Sequence, residues 1–492
     1  MTKILLLNPN KWGRGITTIW VASHSSILKQ SQHQVKLFDC TFYKDWTENE
    51  IDFNTKNNQY MPTEYLNLIK YNDSSIYEDL QKMINSFQPD IIFWSALSSH
   101  IHAEGEYVNI QYGSELLKKI TFDALLIAGG LQPTANPYDM FKKFPNVDYF
   151  IGGESEFVLR DFANNIHTNN SYLTNGLIRK SENKIIINPP QKIISEMDEI
   201  GPYDYSIFDE QTFLRPYHGN VLRAVDYEMS RGCVYACSYC VETSIQKYYG
   251  FNDVTNSGTL KNASKYLRNK SSQRIFQELK ELHERYDIEL IRCQDTNFLT
   301  IDNTVLNELS ELIEESNLKI KLYIETRPEG INKSSIKLLQ KLHVVGIGMG
   351  VEVSSEQFRK DDLNRFASQE KIINAFKLLK EAKISRTAYN IIGLPNETEE
   401  MILDTIKLNN LLDPDDITVA FYSPYLGTSS QLLSKKNGDF DNYEFNVDGQ
   451  IRTVAKSKLI SKKLLEFYKQ NFVQLVKNGL DNLSELKQHY DY

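Results

Sequence analysis

The amino-terminal third of the chain alternates short apolar runs with amphipathic stretches. Short β-branched or leucine-rich runs suit strands that are buried on both faces, and apolar positions three and four residues apart suit the helices that cover such a sheet. This alternation is typical of a parallel, doubly wound α/β sheet, which binds ligands at the carboxyl ends of its strands. Helical periods fall at 77–87 and 114–120. The predicted strands are 3–7, 35–38, 90–94, 124–128 and 147–151.

A second region begins near residue 218. It shows the same alternation of apolar runs and amphipathic stretches, and its helical stretches are longer. It contains six β/α units, enough for a partial barrel but too few for a closed eight-stranded one. The predicted helices are 273–286, 305–315, 371–382 and 399–411. The predicted strands are 224–229, 290–294, 320–323, 344–351, 386–392 and 416–421.

The periodicity loosens between and after these two regions. Clusters of Asn, Thr and Pro indicate a linker at 166–217. We therefore predict a Rossmann-like domain at 1–165, a partial barrel at 218–430 and a small, mainly helical carboxy-terminal segment at 431–492, with its helix near 457–476.

Composition narrows the class of protein. The chain has 492 residues and a formal net charge of −9, which disfavours a nucleic-acid-binding surface as its main function. Its five cysteines do not form a disulfide framework and suit a reducing cytoplasm. The apolar run that ends at Asn8-Pro9 is too short for a signal peptide, and no later run is long enough for a membrane span.

Three of the five cysteines lie in one short segment, Cys233-x3-Cys237-x2-Cys240. Three thiolates from one loop can hold an iron–sulfur cluster and leave one iron open for a substrate. Gly232, next to the first cysteine, permits a tight turn. A zinc site would need a fourth ligand that is not nearby in sequence, and a redox pair formed by the last two cysteines would leave Cys233 unexplained.

The cysteine spacing, with an aromatic residue before the third cysteine, resembles the radical S-adenosylmethionine (SAM) enzymes. The resemblance extends over about 223–428 and includes the segments 350–352, 392–398 and 424–428. It implies a [4Fe–4S] cluster held by the three cysteines, SAM bound to the open iron, a deoxyadenosyl radical, and an external electron donor of the flavodoxin or ferredoxin type.

The resemblance also implies positions for SAM. Tyr239 would shield the cluster, and Gln294 and Asp295 would lie near the methionine amine. Glu352 would face the ribose, and the backbone of Gly393-Leu394 would approach the adenine. Each of these residues also has an ordinary interpretation as a cap, a surface charge or a turn. No side chain is assigned a catalytic role beyond cofactor binding.

The amino-terminal region resembles the cobalamin-binding Rossmann-like domains, which carry D-x-H-x-x-G, S-x-L and G-G at successive strand ends. Here Asn10 stands where the cobalt-binding histidine would be, so the lower axial ligand of cobalt is left open. His102 fits H-x-x-G after the wrong strand, and His100 or His102 could still reach cobalt. The residues that the resemblance assigns to cobalamin are Asn8, Asn10, Gly13, Ser95, Leu97, Gly129, Gly130, Gly152, Gly153 and Glu154.

An alternative for this region is a flavodoxin-like domain that binds no cofactor or another nucleotide. A dinucleotide is disfavoured because G-x-G-x-x-G is absent after the first strand.

Together the two resemblances imply a cobalamin-dependent radical SAM methyltransferase. It would methylate an unactivated carbon of an unidentified small molecule or peptide through a deoxyadenosyl radical and methylcobalamin. One alternative keeps both cofactors but catalyses cyclisation or ring rearrangement without methyl transfer. A second alternative is a non-catalytic cobalamin or redox sensor, which predicts a degraded cluster loop, whereas the loop here is intact.

Overall fold

The computed structural model describes residues 1–48, 54–97, 103–168, 170–182, 184–438 and 459–488. Of the helix that begins at Ala103, it describes the side chains from Asn109 onward.

The first sheet has seven strands in the order β2-β1-β3-β4-β5-β6-β7, of which the first five are parallel. The five strands predicted for this region are confirmed. These strands are β1 (Lys3–Asn8), β2 (Gln34–Asp39), β3 (Ile91–Trp94), β4 (Leu125–Ala128), β5 (Tyr149–Ile151), β6 (Leu177–Ser181) and β7 (Lys184–Ile187). The helices are α1 (Ile19–Gln30), α2 (Tyr65–Leu68), α3 (Ile76–Phe87), α4 (Ala103–Leu117), α5 (Leu131–Ala135), α6 (Pro137–Lys143) and α7 (Glu156–Asn165).

The second sheet has the order β16-β15-β14-β13-β12-β9-β8. Six of its strands are parallel, and β8 pairs antiparallel with β9. The predicted fold class, a Rossmann-like sheet followed by a partial six-stranded barrel, is confirmed. These strands are β8 (Leu214–Tyr217), β9 (Asn220–Tyr227), β12 (Leu290–Cys293), β13 (Lys321–Thr326), β14 (Val344–Glu352), β15 (Ser385–Ile392) and β16 (Asp416–Phe421). Two short strands, β10 (Ser230–Arg231) and β11 (Arg268–Asn269), pair separately.

Helices follow the barrel strands and cover their outer face. Their apolar faces meet the outward side chains of the strands in a core that continues beneath part of the first sheet. The carboxy-terminal helix α16 packs on α14 and β16. These helices are α8 (Glu242–Tyr248), α9 (Ser272–Tyr286), α10 (Asn303–Ser316), α11 (Lys333–Lys341), α12 (Glu356–Asp361), α13 (Gln369–Glu381), α14 (Glu399–Leu412), α15 (Ser429–Asn437), α16 (Lys462–Asn478) and α17 (Leu483–Gln488).

The segment predicted to be a linker, 166–217, contains strands of both sheets. The hairpin β6–β7 extends the first sheet beyond β5, and β8 borders the barrel. The helix predicted at 114–120 in fact begins at Ala103 and ends at Leu117. Of the carboxy-terminal segment, 439–458 and 489–492 lie outside the described residues, including the predicted helix start near 457. The domain boundaries stay a prediction.

Two alternate positions of β14 whose side chains would point into the barrel are glycines, Gly346 and Gly348. A Cβ at Gly346 would lie 2.7 Å from the ring of Tyr323, and a Cβ at Gly348 would lie 2.1 Å from the carboxylate of Glu325. These glycines therefore leave room for large polar side chains of the neighbouring strand to lie inside the barrel.

The edge of the barrel at β16 is covered by two polar side chains. The Val419 amide donates to Gln59 Oε1 at 3.0 Å, and Lys469 of α16 donates to the Val419 carbonyl. Gln59 belongs to a segment that connects β2 to α2, so the amino-terminal region protects an edge strand of the second sheet.

A buried ion-pair network joins the two sheets just ahead of the cysteine loop. Arg231 lies on β10 and is fully buried; its Nη2 donates to Glu156 Oε1 at 2.6 Å and to Glu228 Oε1 at 2.7 Å. Glu156 begins α7 of the first sheet, where it also accepts from Ser23.

Within the described residues, no helix is both long and apolar enough to cross a bilayer.

Candidate active site

The cysteine loop connects β10 to α8 at the carboxyl ends of the barrel strands. Its first turn needs glycine, because Gly232 has a φ of +94° and an added Cβ would lie 2.6 Å from the carbonyl oxygen of Tyr266. Neighbouring segments hold the loop backbone: Gln246 donates to the Cys233 carbonyl at 3.1 Å, and Asn364 donates to the Ala236 carbonyl at 2.7 Å. The loop is therefore fixed by contacts from several elements.

The three thiols are largely shielded from solvent. Cys233 and Cys237 are buried and Cys240 is half-buried. Burial raises the pKa of Cys233 to about 12 and the pKa of Cys240 well above its ordinary value, so thiolates here require a compensating cation. In the part of the chain that the structure describes, no three His, Cys, Asp or Glu side chains are arranged to hold a single metal ion. A four-iron cluster binds each thiolate at a different iron, so the donor set fits such a cluster.

Arg327 supplies positive charge beside the loop. Its Nη1 lies 3.6 Å from Cys237 Sγ, and its guanidinium carbon lies 3.6 Å from the ring centroid of Tyr235. Glu329 accepts from the same guanidinium. Arg327 follows β13, so the barrel places a fixed cation where a thiolate or a cluster would carry negative charge.

Two of the predicted SAM-binding residues meet in the structure. The Tyr239 hydroxyl donates to Glu352 Oε1 at 3.0 Å, and Arg365 Nη1 lies 3.7 Å from the same oxygen. Glu352 has a φ of +62°, a conformation that non-glycine residues rarely adopt. Held by Tyr239 and Arg365, Glu352 remains beside Cys240 at the cavity described below.

Gln294 and Asp295 are buried at the end of β12. Asp295 accepts from the Ser230 amide at 2.6 Å and the Met229 amide at 3.1 Å, so it anchors the short connection from β9 to β10. Burial raises the pKa of Asp295 to about 7. Gln294 donates to Asp226 at 2.7 Å, whereas its buried Oε1 has no hydrogen-bond partner among the described residues. That unsatisfied acceptor suits an ammonium donor such as the methionine amine of SAM, and both assignments stay predictions.

The Gly393-Leu394 turn is closed from within. Glu397 accepts from the Gly393 and Leu394 amides at 2.5 Å and 3.1 Å, and burial raises the pKa of Glu397 to about 8. The Leu394 side chain lies in an apolar cluster that Tyr239 packs against. The turn is thus held next to the cluster loop, and its predicted approach to adenine stays a prediction.

The loop after β1 is organised by Asn10. This buried side chain donates to the Arg14 carbonyl at 3.1 Å and to Thr41 at 2.9 Å, and it accepts from the Trp12 amide at 2.9 Å. Gly13 has a φ of +65°. Asn8, at the end of β1, donates to Asp39 at 3.1 Å.

The same loop is pinned to the barrel. The Asp226 amide of β9 donates to Thr17 at 2.7 Å, and Arg215 of β8 donates to the Gly15 carbonyl. The strand end predicted to lie below cobalt therefore faces the second sheet.

The structure brings together the S-x-L and G-G segments at the ends of β3 and β4. The Gly129 amide donates to the Ser95 carbonyl at 2.8 Å, and a Cβ at Gly130 would lie 2.8 Å from Ser95 Oγ. Ser95 itself has a φ of +60°, and the Leu97 side chain is buried in the core. His100 and His102 lie outside the described residues. The cobalamin roles of these residues stay predictions.

Gly152, Gly153 and Glu154 contact the helix that follows the cysteine loop. The Tyr248 hydroxyl donates to the Gly152 carbonyl at 3.0 Å, and a Cβ at Gly153 would lie 2.4 Å from the Tyr249 hydroxyl. Glu154 pairs with Arg268 at 2.7 Å. These three residues therefore connect the two sheets, and their predicted role toward cobalamin stays a prediction.

A cavity of about 470 Å³ runs down the inside of the barrel. Tyr239, Cys240 and Glu352 line it on the cluster side, and Trp12 and Arg14 of the β1 loop line it from the first sheet. The cluster loop and the β1 loop therefore border one space.

The cavity wall also contains polar residues that the sequence analysis missed. They are Arg292 on β12, Glu325 on β13 and Tyr389 on β15. The Tyr389 hydroxyl donates to Glu325 at 2.5 Å, and burial raises the pKa of Glu325 to about 7. A charged residue inside an otherwise apolar strand, as in Leu290-Ile291-Arg292, is the signal that would have found them.

Comparison with known proteins identifies the class to which this site belongs. Residues 227–408 match the model of the Radical SAM superfamily. The match contains the three cysteines, Glu352 and the Gly393-Leu394 turn. The chain therefore carries a radical SAM domain, as the cysteine spacing predicted.

Individual relatives extend the likeness beyond that domain. An uncharacterised methyltransferase of Pyrococcus horikoshii is 24% identical over 402 residues, which cover 80% of this chain and 81% of the relative. The anaerobic magnesium-protoporphyrin IX monomethyl ester cyclase of Cereibacter sphaeroides is 23% identical over 419 residues, which cover 83% of this chain and 63% of the cyclase.

A solved structure superposes on most of the chain. The radical S-adenosylmethionine methyltransferase TsrM of Kitasatospora setae, solved with cobalamin and a [4Fe–4S] cluster bound, superposes with a TM-score of 0.63. The identity is 16%, and the match covers 89% of this chain and 75% of TsrM. The superposition confirms the predicted fold, and the family model confirms the radical SAM domain within 227–408.

Proposed function

We propose that the chain is a cobalamin-dependent radical SAM methyltransferase that methylates a carbon atom of a small molecule. The observation that carries the proposal is the single cavity lined by both Cys240 and the β1 loop. Methyl transfer by two cofactors requires that both reach one substrate, and this cavity provides the common space.

The cofactors of this proposal are a [4Fe–4S] cluster, SAM and cobalamin. Cys233, Cys237 and Cys240 would hold the cluster, Tyr239 and Glu352 would bind SAM, and the strand ends after β1, β3 and β4 would bind cobalamin. When bound, these groups supply radical generation and methyl carriage. The unsatisfied Oε1 of Gln294 and the positive Arg327 beside Cys237 support this distribution.

The chain's own residues fix the geometry and shape the cavity. Arg327 holds positive charge at the cluster loop, and Tyr239 and Arg365 fix the Glu352 carboxylate. The Asn10 amide group donates hydrogen bonds to the Arg14 carbonyl and to Thr41 and so stabilises the β1 loop. Asn10 has no imidazole that could bind cobalt. Arg215 and Thr17 keep that loop against the barrel.

The proposal includes an external one-electron donor of the flavodoxin or ferredoxin type and a cytoplasmic location. The five cysteines are free thiols, which suits a reducing compartment.

The test is product analysis with the full chain reconstituted anaerobically with iron, sulfide, cobalamin and a reductant. With SAM labelled in its methyl group and a small-molecule extract as substrate pool, we expect S-adenosylhomocysteine, deoxyadenosine and a labelled methylated product together. Formation of deoxyadenosine without any labelled product from the pool would refute methyl transfer.

Cys237→Ala tests the cluster assignment. We expect it to abolish deoxyadenosine formation, because the cluster loses a ligand. Cys40→Ala is the matched control: Cys40 is also buried, but it lies at the end of β2 in the first sheet, and its replacement should leave deoxyadenosine formation within about twofold. Deoxyadenosine formation by Cys237→Ala would exclude the assignment.

A second candidate is cyclisation without methyl transfer. The likeness to the magnesium-protoporphyrin cyclase over 83% of this chain favours it. It predicts deoxyadenosine without S-adenosylhomocysteine, so the ratio of the two products decides between the candidates.

A further inference from the structure

Arg292 is a cavity-facing arginine that the proposed cofactors leave unused. It lies within β12, two residues before Gln294, and it lines the cavity together with Leu290 of the same strand. Among the described residues its guanidinium makes no hydrogen bond or ion pair; its guanidinium carbon lies 5.7 Å from the ring centroid of Tyr323. Burial acts to lower the pKa of Arg292, but the nearby charge of Asp226 outweighs it, so the guanidinium stays charged. Its hydrogen-bonding fork, which no described carboxylate occupies, is an anchoring point for an anion.

The nearest carboxylates already have partners. Asp226 lies beside Arg292 in the strand register, but it forms two hydrogen bonds with Arg215, at 3.0 Å and 3.2 Å, and accepts a third from Gln294. Glu325 is engaged by the Tyr389 hydroxyl. Arg215 and Arg292 thus lie beside the same carboxylate, and Asp226 hydrogen-bonds with Arg215 and not with Arg292.

We propose that Arg292 binds a carboxylate group of the substrate. This inference rests on the proposed function and gives its substrate a chemical class: a small carboxylic acid whose acid group points away from the cluster loop. The planar fork of arginine matches the two oxygens of a carboxylate.

A carboxylate fits this wall better than a phosphate. Asp226 and Glu325 flank Arg292, so a dianion bound to Arg292 would lie close to two acidic groups. A monoanion is repelled less by these two groups than a dianion is.

The rest of the substrate meets an aromatic wall. Five aromatic side chains line the cavity: Trp12, Tyr60, Tyr217, Tyr323 and Tyr389. These rings favour a flat or apolar body with few charges. The cavity of about 470 Å³ must also admit part of SAM under the proposed function, which restricts the substrate to a small molecule.

The carboxylate of SAM itself is the competing occupant. Arg327 is a better partner for that group, because it follows the end of β13 and lies 3.6 Å from Cys237 Sγ. Arg292 lies inside its strand, below the level of Gln294 and the cluster loop.

The test uses phenylacetate and its uncharged amide, phenylacetamide, as probes of matched shape. Binding to the reconstituted full chain is measured by ligand-observed NMR titration. We expect phenylacetate to bind at least tenfold more tightly than the amide, and Arg292→Gln to remove that preference. Arg292→Lys keeps the charge and should retain part of it, which guards against a folding defect in the Gln variant. Arg285→Gln replaces an exposed arginine of α9 and should bind phenylacetate like the wild type.

Three results would overturn the inference: equal binding of acid and amide by the wild type, an unchanged preference in Arg292→Gln, or tighter binding of phenyl phosphate than of phenylacetate. A tenfold loss of SAM affinity in Arg292→Gln with phenylacetate binding intact would assign Arg292 to SAM instead. If the wild type cleaves no SAM at all, the proposed function fails, whereas the preference for the acid probe over the amide is measured independently.

Discussion

Glu325 makes the cavity wall sensitive to pH. It is buried, it accepts from Tyr389, and Gly348 leaves the space that both side chains fill. Burial raises its pKa from 4.5 to about 7, so the folded protein holds this proton more tightly than the unfolded chain does. Its contribution to the free energy of unfolding is therefore full below about pH 4.5 and is lost as the pH rises through 7.

Glu325→Gln should remove this pH dependence. Between pH 4.5 and 8 we expect the free energy of unfolding of the wild type to fall by about 3 kcal/mol more than that of the variant. Urea denaturation at several pH values measures the difference. Glu370→Gln, an exposed carboxylate on α13, serves as the control and should follow the wild type. Parallel pH profiles for wild type and Glu325→Gln would contradict the assignment.

Sequence reasoning reached only some of the site residues. The cysteines and Tyr239 could be predicted because their spacing in the sequence is itself the signature of the cluster loop. In the structure, Tyr239 donates a hydrogen bond to Glu352. Arg292 and Glu325 were missed, because which face of a strand looks into the barrel depends on how the sheet closes. The hydrogen bonds of Asp295 to Ser230 depend on strand pairing across 65 residues, which no local pattern specifies.

At the scale of elements, the edge strand β16 depends on Gln59, a side chain of the segment that connects β2 to α2. Its Val419 amide would otherwise face an open edge, and Gln59 accepts from it at 3.0 Å in a buried position. Removing one partner of a buried hydrogen bond leaves the other with the full cost of desolvation.

Gln59→Leu should expose this dependence. We expect the free energy of unfolding to fall by about 1–3 kcal/mol and amide hydrogen exchange in the peptide that contains β16 to speed up. Lys56→Ala changes an exposed residue of the same segment and should alter neither quantity beyond about 0.5 kcal/mol. Unchanged exchange at β16 in Gln59→Leu would show that the edge is protected by other contacts.

The elements themselves were largely predictable. All eleven strands predicted for the two sheets are present, because runs buried on both faces leave a strong apolar signal. The hairpin β6–β7 was interpreted as part of a linker, since its strands are half-exposed and its sheet partner, β5, precedes it by a helix and a turn. The start of α4 was missed because its early turns lack a clear apolar face in the sequence.

At the level of the whole molecule, Arg231 couples the two sheets to the cluster loop. It lies two residues before Cys233 and pairs with Glu156 of α7 and with Glu228. Burial acts to raise the pKa of Glu156, but Arg231 and His24 hold it at about 2. Because this folded-state pKa lies below the ordinary value, the stabilisation is present above about pH 4.5 and is lost as the pH falls toward 2.

Arg231→Met should therefore destabilise the protein as a whole. We expect a loss of about 3–5 kcal/mol at pH 7, because two buried carboxylates lose their cation. Denaturation followed separately by fluorescence and by circular dichroism measures the loss. The exposed pair Lys44–Asp73 is the control, and Lys44→Ala should cost less than about 1 kcal/mol. A loss below 1 kcal/mol in Arg231→Met would contradict the coupling.

Residues 54–63 bound the barrel cavity without belonging to either sheet. The side chains of this connection that line the cavity are Asn54, Gln59, Tyr60, Met61 and Thr63, whereas the cluster loop and the strand ends lie on other elements. Under the proposed function they would contact the substrate. Mutational drift in this one connection can therefore alter substrate preference and leave the inherited cofactor-binding machinery intact. Lineages that share both sheets can diverge in what they modify through a segment of ten residues. A library randomised at Asn54, Tyr60, Met61 and Thr63, with Gln59 kept to protect β16, is the economical starting point for laboratory evolution of new acceptors.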